Sequence, residues 1–174
     1  MAKVIPGRFT AVADDEEFVV FFIGMRINKL WAVHKWLPVF LAMGRMISEL
    51  YRHPELGFKS TEGFWGGRTI GLLQYWRSYE QLETFARGGY HLETWKKFNQ
   101  MIGSDGSVGI FHETYIMKPG TYEAVYNNMP VFGLAKAFNH QPAKGRYETA
   151  RRRLGGDNEP AVPSPPDTLH SEKM

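Results

Sequence analysis

The side chains best suited to chemistry are an imidazole and a guanidinium set among aromatic residues. Ser107-Val-Gly-Ile-Phe-His-Glu-Thr-Tyr-Ile116 alternates as a strand. Val108, Ile110, His112, Thr114 and Ile116 therefore share one face, and Glu113 points to the other. His112 is thus expected mid-strand in an apolar layer. A neutral imidazole there can serve as base, hydrogen-bond donor or haem ligand, because its unperturbed pKa of about 6.5 lies near working pH. Burial would favour that neutral form. Arg68 is the second catalytic candidate. It opens the strand-like run Thr69–Trp76 directly after a glycine-rich approach, Gly63-Phe-Trp-Gly-Gly67. Trp65, Tyr75 and Trp76 from the same stretch could line a substrate pocket, Trp31 and His34 could cover it, and Asn128 could add a polar contact. Gln74 and Arg77 are further polar exceptions in this apolar run. Each residue also has a structural reading. Strand-end arginines commonly just reach water, and a core histidine bonded to a backbone carbonyl would look the same in sequence.

Three functions fit such a set. A cofactor-independent oxygenase for an aromatic or polyketide-like substrate needs a dry aromatic pocket, a base to form the substrate carbanion and donors for the developing oxyanion. A haem protein would use His112 or His34 as axial ligand. A small-molecule-binding dimer without catalysis needs neither. No phosphate-binding loop, dinucleotide glycine fingerprint, nucleophile elbow or zinc-protease helix motif is present. No metal ligand set is expected. The chain has no cysteine, which removes disulfides, thiolate metal sites and thiol nucleophiles.

The elements that must position these groups follow from periodicity. The run Phe18–Ile27 is strongly β-prone. Leu30, Val33, Leu37, Leu41, Ile47 and Leu50 recur at helical spacing. Pro38 lacks an N–H for the His34 carbonyl, so the expectation is a turn over 29–35, a kink and a helix over 36–52. Leu56–Ser60 is a weaker strand. Ser78-Tyr-Glu-Gln81 reads as a capping box opening a short helix. A second short helix is expected over Leu92–Met101, then the His112 strand, then an edge strand over Tyr122–Tyr126. Residues 1–138 form the expected domain. Half of the ten prolines fall beyond it in a polar, aperiodic stretch, so residues 139–174 are expected to be a disordered tail. The order strand, helix, strand, strand, helices, strand is the split βαβ, ferredoxin-like α+β plan. It is a four-stranded antiparallel sheet with helices on one face. The other face would be closed by a second copy, giving a homodimer.

The fragments Trp31-Ala-Val-His-Lys-Trp-Leu-Pro-Val39, Gln74-Tyr-Trp-Arg-Ser-Tyr-Glu-Gln-Leu-Glu83, Gly109-Ile-Phe-His-Glu-Thr-Tyr115 and Tyr122-Glu-Ala-Val-Tyr-Asn-Asn-Met-Pro130 resemble a family grouped with the monooxygenase-like protein of fungal fumagillin biosynthesis. The resemblance spans roughly residues 5–138. It implies the dimeric α+β barrel superfamily, which holds antibiotic-biosynthesis monooxygenases that use no metal or flavin, and haem proteins such as aldoxime dehydratases and chlorite dismutases. The implied activity is a monooxygenase-like oxidoreductase without cofactor, with haem as the alternative. A net charge of +3 gives no reason to expect nucleic acid. The longest apolar run is too short to span a bilayer, and residues 1–7 lack a signal-peptide apolar segment. The expected partners are thus a second copy and a small molecule, with no membrane, in the cytoplasm.

Overall fold

A computed structural model describes residues 2–13 and 17–157, except for the side chain of Tyr90. The described residues from Glu17 to Ile116 form one compact unit, and those on either side of it in sequence form another.

The Glu17–Ile116 unit holds the ferredoxin-like plan. Its strands are β2 (Phe18–Ile27), β3 (Phe58–Gly66), β4 (Thr69–Trp76) and β5 (Val108–Met117), and its helices are α1 (Val33–Arg52), α2 (Tyr79–Arg87) and α3 (Gly89–Ile102). The strands lie in the order β3-β4-β2-β5, so the first and third of the four are central neighbours. β4 runs antiparallel between β2 and β3, with Phe21 opposite Gln74 and Gln74 opposite Thr61. The side of the sheet bearing Val19, Phe21, Met25 and Ile27 meets the helices. Trp76, Val19, Phe58, Leu50 and Leu82 form one buried cluster there, and Met25, Ile27, Val39 and Val108 form a second. On the opposite side, two glycines let ring edges approach the backbone closely. A Cβ on Gly24 would sit 2.6 Å from the Phe111 ring, and one on Gly71 would sit 2.8 Å from the Phe22 ring. Phe22 and Phe111 meet edge to face at 5.0 Å.

The helices show where local rules hold and where they yield. α1 runs without a break in assignment from Val33 with Pro38 inside it, so the helix begins three residues before the expected start at 36. The first turn is held from outside the helix ladder. Trp36 Nε1 donates to the Leu30 carbonyl at 3.0 Å, and Lys35 Nζ reaches Asp105 at 2.8 Å. At α2, the Ser78 hydroxyl accepts from the Gln81 amide at 3.3 Å as the capping box predicts. The Gln81 side chain does not reach back to Ser78. Its amide donates to the Glu55 carbonyl instead.

The second unit is a sheet in the order β6-β1-β7, made of β1 (Ile5–Val12), β6 (Tyr126–Met129) and β7 (Asn139–Pro142). It also carries the short helices α4 (Leu134–Ala137) and α5 (Ala150–Arg153). The edge strand lies at 126–129, not over 122–126. The expectation of a disordered tail from residue 139 is corrected as far as residue 157. Thr10 pairs with Gln141 and Ala11 with His140, and the Arg153 side chain, only 4% exposed, binds Glu123 at 2.7 Å. A strand of polar residues such as Asn139-His-Gln-Pro142 carries no alternation signal. Its place comes from the pairing that β1 offers. Residues 158–174 of the expected tail lie outside the described residues.

One surface pair has a pH signature. Asp105 precedes β5. Lys35 bonds one carboxylate oxygen at 2.8 Å, and Ser107 contributes its backbone N–H at 2.9 Å and its hydroxyl at 2.8 Å. These partners, the Lys35 bond foremost, hold the carboxyl well below the usual carboxylate range. A depressed folded-state pKa stabilises above the unfolded value, and the gain is lost as pH falls through the folded value. Asp105→Asn should therefore lower the thermal midpoint by a constant amount above about pH 5. The gap between wild type and variant should close progressively below about pH 4, near the unperturbed value. A gap that widens on acidification would contradict this assignment.

Candidate functional site

One row of side chains crosses the helix-facing side of the four-stranded sheet. Thr61 on β3, Gln74 on β4 and Phe21 on β2 are successive cross-strand neighbours. The His112 ring on β5 completes the row, 5.7 Å from the Phe21 ring and tilted by 41°. Trp76 adjoins it, and its indole N–H donates to Gln74 Oε1 at 2.9 Å. An indole nitrogen can only donate, so this bond fixes which end of the Gln74 amide is oxygen. The Gln74 Nε2 then donates to no group among the described residues. The row thus pairs a spare amide donor with an imidazole, with Phe21 between them and Trp76 alongside.

His112 is exposed, contrary to the expectation of burial in an apolar layer. β5 is an edge strand with β2 as its one neighbour in the sheet. Its residues from His112 to Ile116 are exposed while Val108, near its start, is buried. Alternation placed His112 on the helix-facing side and could not show that this strand lies at the margin of the cover.

The other residues read from sequence scatter. Arg68 occupies the β3–β4 turn, where its guanidinium donates to the Asn28 carbonyl at 3.2 Å. That turn is six residues from Gln74 along the strand, about 20 Å at a strand's rise, so Arg68 does not join His112 within the chain. Trp65, 79% exposed, lies near the end of the same hairpin and donates to the Gly67 carbonyl at 2.6 Å. Tyr75 is buried on the face away from the helices, opposite Val20 and Ser60. Trp31, 74% exposed, sits in the turn before α1 with Lys29 Nζ 5.7 Å from its ring. His34 lies on the outer side of α1, where it lines a groove of about 320 Å³ with Val33, Leu37, Pro38, Leu41, Ala42 and Arg45. Asn128 belongs to the other unit, where its side chain accepts from the Gly7 amide at 2.9 Å and its backbone adopts φ 53°. Of the set, His112 and Trp76 share the helix-facing side. Gln74 joins them as the sequence allowed. Phe21 was missed, because only strand register shows that it stands between Gln74 and His112.

Among the described residues, no three His, Asp or Glu side chains are grouped so as to hold a metal ion. His34 faces outward beside an open groove, and the exposed His112 has the Phe21 ring against it. No helix is long and apolar enough to cross a membrane, among the described residues.

Comparison with known proteins decides the family. The model for Monooxygenase af470-like proteins matches residues 18–134, a stretch that contains the four-stranded sheet and its helices and runs on through β6. The chain belongs to that family. A relative, Monooxygenase af470 of Aspergillus fumigatus, is 35% identical over 149 residues, covering 74% of this chain and 53% of the relative. The chain thus spans about half the length of that member of the family. Among solved structures, an aldoxime dehydratase in complex with butyraldoxime superposes with TM-score 0.54 at 16% identity, over 87% of this chain and 44% of its own. A second aldoxime dehydratase gives 0.51 at 16% identity, over 80% and 41%. At such identity the likeness is one of fold, and it agrees with the ferredoxin-like α+β arrangement of the family's matched stretch.

Proposed function

We propose that the chain is a monooxygenase-like enzyme that uses molecular oxygen without flavin, haem or metal on an electron-rich aromatic or polyketide-like substrate. Family membership supports the reaction class. The row Gln74–Phe21–His112 is the observation that carries the reading of the site. His112 takes a proton from an acidified carbon of the substrate. The Gln74 Nε2 holds the oxygen on which negative charge collects, and a fixed donor does this without reorganising during the reaction. Phe21 offers aromatic surface to the ring system, and the buried Trp76 holds the Gln74 amide by its indole N–H. The substrate supplies the electrons: a methylene and one O₂ give a carbonyl and one water, a four-electron oxidation that needs no external reductant. That requirement selects electron-rich substrates whose carbanions can reduce oxygen. Arg68 takes no part in this site.

The active form in this reading is a homodimer. Ile110, Tyr115 and Ile116 are exposed on the edge strand β5, and a second copy laid over that edge would shield His112 from water.

Oxygen uptake by the purified protein, with a panel of anthrone-like and polyphenolic substrates and no added cofactor, tests the proposal. His112→Ala should lower kcat by about 10²–10⁴-fold, the usual contribution of a general base, and leave the melting temperature within a few degrees because the ring is exposed. Gln74→Leu should lower kcat with less effect on KM. Uptake that persists in His112→Ala, or that appears only with added reduced flavin or haem, would overturn the reading.

A further inference from the structure

α1 is apolar on two sides, and only one of them is used by the core. Its inner stripe, Trp36, Val39, Met43, Ile47 and Leu50, packs on the sheet. A second stripe, Val33, Leu37, Phe40 and Leu41, is exposed, and Leu30 and Trp31 extend it into the preceding turn. Single exposed apolar residues are ordinary on a protein surface. Four large ones on one side of α1, with two more in the turn that leads into it, make an apolar patch of the kind that marks an interaction site.

The charges around the patch say what covers it. His34, Arg45 and Arg52 lie along one margin of the stripe at helical spacing, and Lys29 sits beneath Trp31. No exposed residue of α1 is acidic; its one carboxylate, Glu49, is half-buried. Arg45 and Arg52 have no ion-pair partner among the described residues. The patch runs along a 20-residue helix, about 30 Å long, and includes the shallow groove beside His34. A cationic margin beside an apolar stripe, with a tryptophan at one end, is the arrangement of a helix lying in the plane of a membrane interface. Long arginine side chains reach outward to headgroups while their stems cover apolar surface.

We propose that α1 docks the chain on the surface of a bilayer rich in anionic phospholipid. Leu37, Phe40 and Leu41 enter the acyl boundary, Trp31 sits at headgroup level, and Arg45 and Arg52 bind the headgroup anions. The sequence expectation of no membrane partner rested on the lack of a spanning segment, and surface docking requires none. The inference does not depend on the oxygenase reading.

Flotation of the full chain with vesicles of phosphatidylcholine alone, or with about 30% phosphatidylserine, tests it. The chain should float with the anionic vesicles, weakly or not at all with the neutral ones, and less as salt rises. Arg45→Glu/Arg52→Glu should weaken binding by at least 25-fold, since each basic residue near an anionic surface contributes about five-fold. Leu37→Glu/Leu41→Glu should abolish flotation. Both variants alter exposed positions, and unchanged circular dichroism and melting temperature should accompany the loss. Trp31→Phe should remove most of the blue shift in tryptophan emission that vesicles produce. Failure to float with anionic vesicles, equal binding to neutral ones, or flotation unaffected by Leu37→Glu/Leu41→Glu would overturn the proposal. A wild type that ignores vesicles but loses an oligomer in the leucine variant would assign the face to a second copy instead.

Discussion

Trp76→Ala should destabilise the Glu17–Ile116 unit by about 3–5 kcal/mol, the range for removing a buried large aromatic side chain. Trp76 is fully buried, edge to face with Phe58 and tilted against Phe85, each at 5.5 Å. Its loss opens a cavity among side chains drawn from β2, β3, α1 and α2, which cannot all move inward together. It also strips the Gln74 oxygen of its donor, and a buried acceptor left unmet costs about 1–3 kcal/mol by itself. Trp76→Phe should separate the two effects, keeping most of the ring and losing the bond. Urea unfolding followed by near-ultraviolet circular dichroism measures both variants. A loss below about 1 kcal/mol for the alanine variant, the centre of ordinary substitutions, would mean that the cluster does not hold this unit together.

Truncation after Phe138 should dismantle the other unit. It removes β7 and α5, and with them every pairing of β1 from Phe9 to Val12 with residues 139–142. Glu123 loses the Arg153 guanidinium, which also donates to the Tyr147 and Glu148 carbonyls. What is left is β1 beside β6, and a two-stranded sheet is marginal in water. Limited proteolysis should cut within 2–13 and 117–138 at least about ten-fold faster than in the full chain, as expected when a local opening energy falls by about 1.4 kcal/mol or more. Fragments from 17–116 should persist. Unchanged resistance at 117–138 would show that β7 is dispensable.

The two results bear on what the sequence could reveal. β2, β4 and β5 were readable from their apolar runs and alternation, and Ser78 marks the start of α2 in sequence and caps it in the structure. β3 was placed too early, over Leu56–Ser60; it runs over Phe58–Gly66, through a polar, glycine-containing stretch whose pairing with β4 carries no apolar signal of its own. The start of α1 was misread, because the proline rule put the helix at 36 and it begins at Val33 with Pro38 inside. Packing of Trp36 and Val39 on either side of the proline, with the outside bonds to Leu30 and Asp105, holds the helix continuous. β7 was invisible because four polar residues have no pattern of their own. The site was half legible. Alternation assigned His112 and Gln74 to their faces, but a face is not a neighbourhood. Only the β2–β4 register puts Phe21 opposite Gln74, and only strand order puts β5, and so His112, at an edge. Arg68 and Trp65 looked close to Trp76 in sequence and are separated by the length of a strand.

The unit built from both ends of the described chain has a consequence for synthesis. Phe9 leaves the ribosome ahead of the Glu17–Ile116 stretch, and its partner Pro142 follows only after the whole of 17–116 has been made. At about 5–20 residues per second that delay is on the order of ten seconds, long compared with the folding time of a small domain. The Glu17–Ile116 unit is contiguous and can fold while β1 still has neither of its neighbours. β1 then waits as an unpaired strand, open to pairing with the β1 of a neighbouring nascent chain. Its early proline and glycine, Pro6 and Gly7, with Gly7 at φ 97°, spoil the regular edge such pairing would need. The same irregularity persists in the finished sheet as the register shift between Ile5 and Arg8.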